Sequence, residues 1–351
     1  MRYPRWELAL NNFLQTTGSK TLQMKRTQIT GLLQGIILAV SLSLNLITKG
    51  QDKKEIPFIK KEVTIWSDGT RMYGDLYTPK NIKKDQQLPA VVFVNGTGGT
   101  KGKLPTRIAP SFVEKGFVFL AFDYRGWGKS ESKLLMTDKM PQVDKEGIME
   151  VKARPIRWQL DFPDQVMDIR CAISFLEGER NVDAGRIGLY GTSYGGGLVI
   201  WTAAHEPRVQ CVVSQVPGMG VFKYRDTWIK KAHQLMIAQA RGETEPVPIK
   251  DGAPGGKMSA YAHMRHNHAK NIGYNPIDAA DRLKVPTLII DAEKEELMDR
   301  RENGGKVANI LQFRGVKSEY KVLEGIGHYG VYREKFEECM DLATDWLSKN
   351  M

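Results

Sequence analysis

The sequence predicts an α/β protein with a mostly parallel sheet, helices on both faces of the sheet and a helical lid insertion. Two observations predict this class. Short apolar runs alternate with helical patterns along most of the 351 residues, which is typical of parallel strands joined by crossover helices. In addition, a glycine-flanked serine, Gly191-Thr-Ser-Tyr-Gly195, separates an apolar run from a predicted helix. The hydrophobic content of 41% is sufficient for a full core.

A hairpin begins the folded domain, which we expect to span residues 55–350. Its strands are predicted at 62–66 and 71–77, on either side of an Asp68-Gly69 turn. Further strands are predicted at 89–94, 117–122, 186–190, 209–213, 285–290 and 319–323. Helices are predicted at 108–115, from Pro163 onward, at 198–205, at 303–313 and at the end of the chain, where Phe336, Met340, Ala343 and Leu347 share one face.

Residues 218–283 interrupt this alternation. They contain a predicted helix at 228–240, a stretch rich in glycine and proline at 242–256, and a second predicted helix at 258–268. Connections of this length in a compact domain are usually functional. We therefore expect an insertion that lies over the strand ends as a lid.

The N-terminal extension, residues 1–50, resembles an export signal. Lys25 and Arg26 precede an apolar run at 31–47, and Ala39-Val-Ser41 offers a small-x-small cleavage site. Met24 directly precedes the basic pair and is an alternative start. We expect an exported protein, periplasmic or secreted, with a cleaved signal peptide; an uncleaved membrane anchor and a soluble amphipathic extension are the alternatives.

The charge balance is basic, with a net charge of +11 at pH 7. No nucleic-acid-binding motif accompanies it, so we expect a solvated basic surface and no nucleic-acid partner. An anionic membrane surface or a negatively charged substrate is the alternative. The lysines are scattered along the chain, among them Lys60, Lys61, Lys80, Lys83, Lys84, Lys101 and Lys103.

Cysteines and histidines give no strong metal or disulfide signal. Cys171, Cys211 and Cys339 lie on a predicted helix, strand and helix, which indicates buried small hydrophobic residues and not a disulfide framework. His263, His266 and His268 form H-x-x-H-x-H in the insertion. A metal site is the alternative there to a solvated lid helix, which we favour, so no metal is expected.

The candidate nucleophile is Ser193. A sharp strand-to-helix turn leaves no room for side chains beside the serine, and Gly191 and Gly195 meet that requirement. The N-terminus of the helix that follows favours developing negative charge. The sequence therefore predicts a serine hydroxyl presented at the end of a parallel strand.

The candidate base is His328, because a serine hydroxyl is a poor nucleophile unless a base takes its proton. His328 follows a predicted strand, in a glycine-flanked loop near the C-terminus. His205 and His233 instead occupy predicted helices, which makes them weaker candidates.

The acid that orients the base should lie in the loop after the strand at 285–290. Four carboxylates occur there: Asp291, Glu293, Glu295 and Glu296. Asp291 directly follows the strand, where its side chain would serve turn hydrogen bonds. Glu295 lies three residues past Ala292, far enough to extend toward the base. We choose Glu295 and keep Asp291 as the alternative.

An oxyanion hole should accompany these side chains. We expect its donors to be the backbone N–H of Tyr194 and a backbone N–H just after Asn95-Gly96, most reasonably that of Thr97. The glycines at 96, 98 and 99 would let this loop approach a substrate closely, although a tight turn alone also needs them.

The chain order Ser193, acidic loop, His328, together with the Asn95-Gly-Thr-Gly-Gly99 turn, resembles the α/β-hydrolase superfamily. Three further motifs are similar to its dienelactone-hydrolase-like and X-Pro-dipeptidyl-peptidase-like branches: Ser67-Asp-Gly-Thr70, Asp123-Tyr-Arg-Gly126 and Gly191-Thr-Ser-Tyr-Gly-Gly196. The resemblance covers about residues 60–350. Two positions depart from it, Asn95 where these families often have His, and Glu295 where they commonly have Asp.

The resemblance implies a serine hydrolase that cleaves an ester or related acyl bond of a small molecule through an acyl-enzyme, without a cofactor. An X-Pro-type peptidase or a C–C bond hydrolase with the same residues is the alternative. A non-catalytic ligand-binding member of the fold is an alternative of another class; such proteins usually lose one of the three catalytic residues, and here all three positions are filled. The sequence leaves the oligomeric state open.

Overall fold

The structure is a computed structural model that describes residues 58–221, 225–247, 264–351 and the backbone of 249–250. The chain divides into two units, Met1–Glu55 and Ile56–Met351, and the described residues belong to the second. The expected export signal, with the run at 31–47 and Met24, lies outside the described residues. Within the described ranges, no helix is long and apolar enough to cross a bilayer.

The described strands and helices alternate along most of the chain. The strands are Phe58–Ser67 (β1), Thr70–Pro79 (β2), Leu88–Val94 (β3), Val118–Phe122 (β4), Leu134–Met136 (β5), Ala153–Pro155 (β6), Gln159–Leu160 (β7), Val182–Thr192 (β8), Val209–Gln215 (β9), Ile249–Lys250 (β10), Arg265–His266 (β11), Thr287–Ala292 (β12) and Ser318–Leu323 (β13). The helices are Lys103–Glu114 (α1), Phe162–Glu177 (α2), Tyr194–His205 (α3), Arg225–Ala240 (α4), His268–Asn271 (α5), Pro276–Ala280 (α6), Gly304–Phe313 (α7) and Phe336–Asn350 (α8), with a 3-10 turn at His328–Tyr332.

Eight of these strands form one sheet, in the order β1-β2-β4-β3-β8-β9-β12-β13. The pairs from β4 to β13 are parallel, and β1 and β2 form an antiparallel edge. The hairpin turns at Asp68 and Gly69, both with positive φ, as the Asp-Gly turn predicts. The mostly parallel sheet expected from the sequence is therefore present.

Two cores, one on each face of the sheet, enclose the parallel strands. Side chains of β3 alternate between them: Val92 and Val94 face the core beneath α2, α3 and α7, whereas Val91 and Phe93 face the core beneath α1 and α8. A strand buried on both faces reads as a continuous apolar run. Such strands fix the position of the loops at their carboxyl ends, where the candidate residues lie.

Two of the motifs that carried the family resemblance meet at one buried carboxylate, Asp168 of α2. It accepts hydrogen bonds from Ser67 Oγ at 2.7 Å and from the backbone N–H of Arg125 at 2.9 Å, and it forms an ion pair with Arg125 Nε at 2.5 Å. Burial raises the pKa of Asp168 to about 6, against the opposing effect of Arg125. The hairpin and the Asp123-Tyr-Arg-Gly126 loop are thereby tied to α2.

The structure differs from the sequence-based expectation in three places. α1 begins five residues earlier than predicted, since Pro105 lies in its first turn, where a missing N–H is tolerated. Arg265 and His266, assigned to a helix at 258–268, instead form a strand beside β7; the rest of that stretch before 264 is not described. Residues 276–283, counted with the insertion, pack into the main core, where Ala280 and Leu283 are fully buried.

The basic surface also differs in part from expectation. Lys101 is only 6% exposed, and its ammonium group pairs with Asp75 and with Glu62. Lys60 pairs with the same Asp75, at 2.7 Å. Lys101 is therefore a structural cation and not part of a solvated basic face, whereas Lys60 pairs with Asp75 but stays exposed.

Candidate active site

Ser193 lies at the sharp turn between β8 and α3. Its φ of 55° is in the left-handed region, which is unfavourable for a residue with a side chain. A Cβ on Gly191 would lie 2.2 Å from the Gly195 carbonyl oxygen, and a Cβ on Gly195 would lie 2.2 Å from the Val94 carbonyl oxygen. Glycine is therefore required on both sides of the serine, as the motif predicts.

Backbone hydrogen bonds hold this turn in place. The N–H of Ser193 donates to the Gln215 carbonyl at 2.8 Å, which ties the turn to the end of β9. The Ser193 carbonyl accepts from the N–H groups of Gly196 and Gly218, both at 2.9 Å. The strained backbone is thus fixed by three bonds, so the hydroxyl has a defined position.

His328 is brought to Ser193 by the loop that follows β13. Its Nε2 lies 3.2 Å from Ser193 Oγ, within hydrogen-bond reach. Its side chain is only 2% exposed. An imidazole that accepts a proton from the serine at Nε2 must carry its own proton on Nδ1, so a partner for Nδ1 is needed.

Glu295 provides that partner. Its Oε2 lies 2.8 Å from His328 Nδ1, and its side chain is also 2% exposed. The other oxygen, Oε1, accepts from the Leu297 backbone N–H at 2.9 Å, which fixes the carboxylate within its loop. The structure therefore brings Ser193, His328 and Glu295 together in one hydrogen-bonded chain.

The three other carboxylates considered for this role are engaged elsewhere. Asp291 lies inside β12 and accepts from the Tyr320 hydroxyl at 3.0 Å, instead of forming the turn hydrogen bonds that we expected. Glu293 accepts from the Gly325 N–H at 2.8 Å. Glu296 accepts from the backbone N–H of His328 at 2.8 Å, so it holds the backbone of the histidine loop.

Burial gives Asp291 an unusual ionisation. Desolvation raises its pKa to about 7, with a smaller contribution from the nearby Glu295 charge. A Cβ on Gly304, at the start of α7, would lie 2.2 Å from Asp291 Oδ2, so the carboxyl is enclosed on that side as well. Its surroundings explain why it does not reach His328.

The loop proposed for the oxyanion hole packs directly against the serine. A Cβ on Gly96 would lie 2.9 Å from Ser193 Cβ, so a glycine is required at this close approach. Thr97 and Tyr194 line the same cavity as Ser193. As the first residue of α3, Tyr194 has a backbone N–H without a partner in its own helix. Both predicted donors are therefore next to the nucleophile.

Buried polar groups anchor this loop from behind. Asn95, 2% exposed, donates from Nδ2 to the Phe122 carbonyl at 3.3 Å, and its own carbonyl accepts from the Tyr124 hydroxyl at 3.0 Å. Asp123 accepts from the backbone N–H groups of Lys101 at 2.6 Å and Lys129 at 2.9 Å. Asn95 thus anchors this loop through both its side chain and its backbone carbonyl.

The sequence offered only an indirect signal for Asp123. It stood in a motif used for family resemblance, but its role in holding two loops became visible only in the structure. Its enclosure is close: a Cβ on Gly128, whose φ is 46°, would lie 2.1 Å from Asp123 Oδ2. Burial raises the pKa of Asp123, while its two amide donors oppose that shift.

Two cavities meet at Ser193. We call the first, of about 360 Å³, the apolar pocket; it is bounded by Leu160, Tyr194, Trp228, Tyr274, Leu297 and Met298, with Arg225 and His266 among its polar residues. We call the second, of about 520 Å³, the histidine cleft; it is bounded by Thr97, Thr100, Lys103, Leu104, His328 and Tyr329. Thr97 and Ser193 line both, so the serine stands between two compartments.

The remaining sequence-based expectations concern cysteines and metals. All three cysteines are free, and Cys171, Cys211 and Cys339 lie on a helix, a strand and a helix. Burial raises the pKa of the Cys211 and Cys339 thiols to about 12 in each case. In the described part of the chain, no group of three or more metal-ligating side chains could hold an ion; His263 lies outside that part.

The family follows from a direct comparison. A family model described as X-Pro dipeptidyl-peptidase (S15 family) matches residues 68–272, more than half of the chain. This chain belongs to the S15 family. The match includes the serine turn and the Asp123 loop, and it ends before the acid and histidine loops.

Curated proteins similar to this S15 chain include hydrolases. It is 30% identical over 168 residues to the quorum-quenching protein AidA of Acinetobacter baumannii, covering 48% of this chain and 47% of AidA. It is 26% identical over 189 residues to the thiohydrolase aneE of Aspergillus aculeatus, covering 52% of this chain and 51% of aneE. The chain thus spans about half the length of each.

Solved structures establish the fold over a wider range. DcsB in complex with its substrate analogue matches with a TM-score of 0.63 and 20% identity, covering 83% of this chain and 99% of DcsB. The acetyl xylan esterase from Paenibacillus sp. R4 matches with a TM-score of 0.54 and 20% identity, covering 86% of this chain and 87% of the esterase. The S15 chain therefore has the α/β-hydrolase fold.

Proposed function

We propose that this chain is a serine hydrolase that cleaves an ester or related acyl bond through an acyl-enzyme intermediate. The observation that carries the proposal is the hydrogen-bonded chain from Glu295 through His328 to Ser193, with distances of 2.8 and 3.2 Å. Each residue has the chemistry that its place in such a chain requires. Esterases and a thiohydrolase among the similar proteins support the same reaction class.

The first half of the reaction forms the acyl-enzyme. His328 Nε2 takes the hydroxyl proton while Ser193 Oγ attacks the carbonyl carbon, and Glu295 stabilises the imidazolium that results. The backbone N–H groups of Thr97 and Tyr194 donate to the oxyanion. The bond to the leaving group then breaks, and the leaving group takes the proton from His328 Nε2.

The second half repeats these steps with water. His328 removes a proton from a water molecule, the hydroxide attacks the acyl carbon, and Ser193 Oγ leaves with the proton from the histidine. The products are an acid and an alcohol or thiol, and no electrons are exchanged. The residues need no cofactor for this sequence.

The leaving group must reach His328 Nε2 to be protonated, and this requirement assigns the two compartments. The histidine cleft contains His328, so it receives the leaving group. The apolar pocket lies on the other side of Ser193 and receives the acyl group. Its volume, about 360 Å³, is at the low end for small-molecule sites, which favours a compact acyl group.

An X-Pro-type peptidase is the second candidate, because the description of the matching family model names that activity. A dipeptidyl peptidase must bind a cationic amino terminus close to the serine, and a carboxylate is the natural partner for that group. The described lining of the apolar pocket contains no Asp or Glu, but it contains Arg225. This lining favours the esterase.

The test is a substrate panel with the purified chain. Labelling of Ser193 by a fluorophosphonate would identify an active serine hydrolase, and absence of labelling in the folded protein would favour a non-catalytic binding protein. Turnover of p-nitrophenyl esters and lactones, without turnover of X-Pro-amides, is the expected pattern. The reverse preference would move the assignment to the peptidase, and turnover of a C–C substrate alone would move it to that class.

We also propose that the protein is exported, on the basis of the Lys25-Arg26 pair and the apolar run at 31–47. A mature N-terminus beyond about residue 41, read by N-terminal sequencing of protein from the native host, supports a cleaved signal. An intact Met1 or Met24 in the cytosolic fraction contradicts export.

A further inference from the structure

We infer that the apolar pocket accepts an acyl group that carries a carboxylate at its far end, and that Arg225 binds this carboxylate. The inference rests on the proposed function, because it takes the apolar pocket to be the acyl compartment. Arg225 would then be a specificity-determining residue, selecting monoesters of dicarboxylic acids over esters of plain fatty acids.

The first observation is that the Arg225 guanidinium has no acidic partner among the described residues. Arg225 is half-buried in the pocket wall, and its Nε donates to the Gly220 carbonyl at 3.2 Å. Throughout the described ranges, no carboxylate lies within ion-pair distance of it. Arg125 pairs with Asp168, and Arg208 pairs with both Glu177 and Glu206. Arg157 and Arg314 have no described carboxylate partner either, but their terminal nitrogens donate to backbone carbonyls. The terminal nitrogens of Arg225 have no such partner among the described residues.

The second observation concerns the nearby carboxylates, which are already engaged. Beyond Leu297 and Met298 lies a separate cavity with five acidic side chains along the acid loop. Each of these five has a partner of its own among the described residues: Glu293 with Gly325 N–H, Glu295 with His328, Glu296 with His328 N–H, Asp299 with Arg301 and Glu302 with Lys306. Asp226, next to Arg225, is exposed and forms no ion pair with it.

The third observation is the position of Arg225 in α4. It is the first described residue of that helix, and it lines the same pocket as Ser193. Arg225 therefore stands in the wall of the compartment that the proposed function assigns to the acyl group. The two terminal NH₂ groups have no hydrogen-bond partner in the part of the chain that the structure describes, and their fork matches a carboxylate in a bidentate arrangement.

The surroundings make such a bond selective. The wall around Arg225 is largely apolar, with Leu160, Trp228 and Tyr274, so an ion pair there is less screened than on the open surface. The net charge of +11 also attracts an anionic substrate toward the protein. When Arg225 binds the carboxylate at one end of the acyl chain, the carbonyl carbon at the other end would lie at Ser193.

Two esters with acyl chains of the same length test the inference. The p-nitrophenyl monoester of glutaric acid carries the carboxylate, and its methyl ester has the same chain without the charge. We expect kcat/KM to be about 10-fold or more higher for the anionic ester. A series from succinate to suberate locates the best spacing between the carbonyl and Arg225.

Variants assign the preference to one side chain. Arg225→Gln should lower the ratio of kcat/KM values, anionic over neutral ester, by about 10- to 100-fold. Arg225→Lys should retain part of the ratio, since it keeps the charge and loses the fork. The matched control is Lys230→Gln, which removes the same charge from the exposed side of α4 and should leave the ratio unchanged.

Each outcome has a distinct meaning. Hydrolysis of the neutral ester without preference for the anionic one, or a ratio unchanged in a folded Arg225→Gln protein, overturns the role of Arg225 and leaves the proposed function standing. Hydrolysis of neither ester, together with no fluorophosphonate labelling, overturns the proposed function itself and the inference with it.

Discussion

The catalytic chain and the wall of the apolar pocket are built from different kinds of structure. Ser193, Glu295 and His328 each follow the carboxyl end of a parallel strand, β8, β12 and β13, within five residues of its last residue. The pocket wall opposite comes from the start of α4, from the two-residue strand β11 and from the four-residue helix α5. One region is set by the sheet and the other by elements outside it.

The catalytic residues are also more deeply buried and more fully hydrogen-bonded than the residues of the pocket wall. His328 and Glu295 are each 2% exposed and hydrogen-bonded at both ends, whereas Arg225 and Trp228 are half-buried. Rigid elements hold reacting groups to a fraction of an ångström, while loops change their side chains with little cost to the fold. We therefore expect changes in the first region to lower turnover and changes in the second to alter substrate preference.

The strongest test of the first region is Ser193→Ala. Loss of the nucleophile should lower kcat by about three decades or more, while the thermal midpoint stays close to that of the parent protein. Ester hydrolysis and a melting curve measure the two quantities. A variant that keeps most of its esterase activity would show that the nucleophile lies elsewhere.

The second test compares Glu295→Gln with Asp291→Asn, a matched pair of carboxyl-to-amide changes in β12 and in the loop that follows it. Glu295→Gln should lower kcat by about two to four decades, because it removes the charge that stabilises the imidazolium. Asp291→Asn should keep kcat within a few-fold, since Asp291 faces Tyr320 and not His328. The opposite result would transfer the acid role to Asp291.

The same Asp291 variant has a second signature, in stability against pH. The pKa of Asp291 is raised by burial from 3.8 to about 7. A carboxyl with a raised pKa favours the folded state below pH 4 and loses that contribution as the pH rises through 7. The free energy of unfolding of Asp291→Asn, measured by urea titration, should therefore increase relative to that of the parent protein as the pH rises from 4 to 8. A pH-independent difference would contradict the buried, protonated carboxyl.

The third test concerns the anchor of the oxyanion loop. Asp123 accepts from the backbone N–H groups of Lys101 and Lys129, one at each carboxylate oxygen. In Asp123→Asn the amide oxygen can accept from one of these N–H groups, but the amide NH₂ group then faces the other, and neither can accept. We expect a fall in kcat of about 10- to 100-fold with a smaller change in KM, because the loop shifts relative to Ser193. Equal effects on both parameters, with a lowered melting point, would indicate general destabilisation.

The fourth test, with the smallest expected effect, addresses the pocket wall. Trp228→Ala should change the ratio of kcat/KM values for short and long acyl chains by about 5- to 10-fold. The preference among leaving groups should change little. Ile237→Ala, on the exposed side of the same helix, is the control, since Ile237 is 60% exposed. Unchanged selectivity in the Trp228 variant would remove this wall from the acyl compartment.

The same division explains what could be predicted from the sequence. Parallel strands read as apolar runs, so the strand ends were visible, and with them the serine, the histidine and the loop that contains Glu295. Strand β12 begins and ends two residues later than predicted, so Asp291 lies in the strand and not in the expected turn. The structure resolves that ambiguity through the Tyr320 hydroxyl.

The parts that could not be predicted depend on long-range contacts or on weak local patterns. Asp123 holds loops that lie 22 and 6 residues away in sequence, and no local spacing encodes the longer link. The predicted helix at 258–268 was wrong at Arg265 and His266, because their pairing with β7 overrides helical preference. Arg225 carried no signal in the sequence, and it stands out only because the structure places it in the wall of the apolar pocket with no acidic partner among the described residues.

Ser193 holds a positive φ of 55°, and Val216, at the end of the neighbouring strand, holds one of 38°. Each such backbone costs about 1–3 kcal/mol and persists because the surrounding bonds leave no alternative. This part of the molecule therefore trades stability for a reactive geometry. Replacing Ser193 with glycine removes both the hydroxyl and the strain, so a protein selected only for heat resistance would lose its nucleophile first.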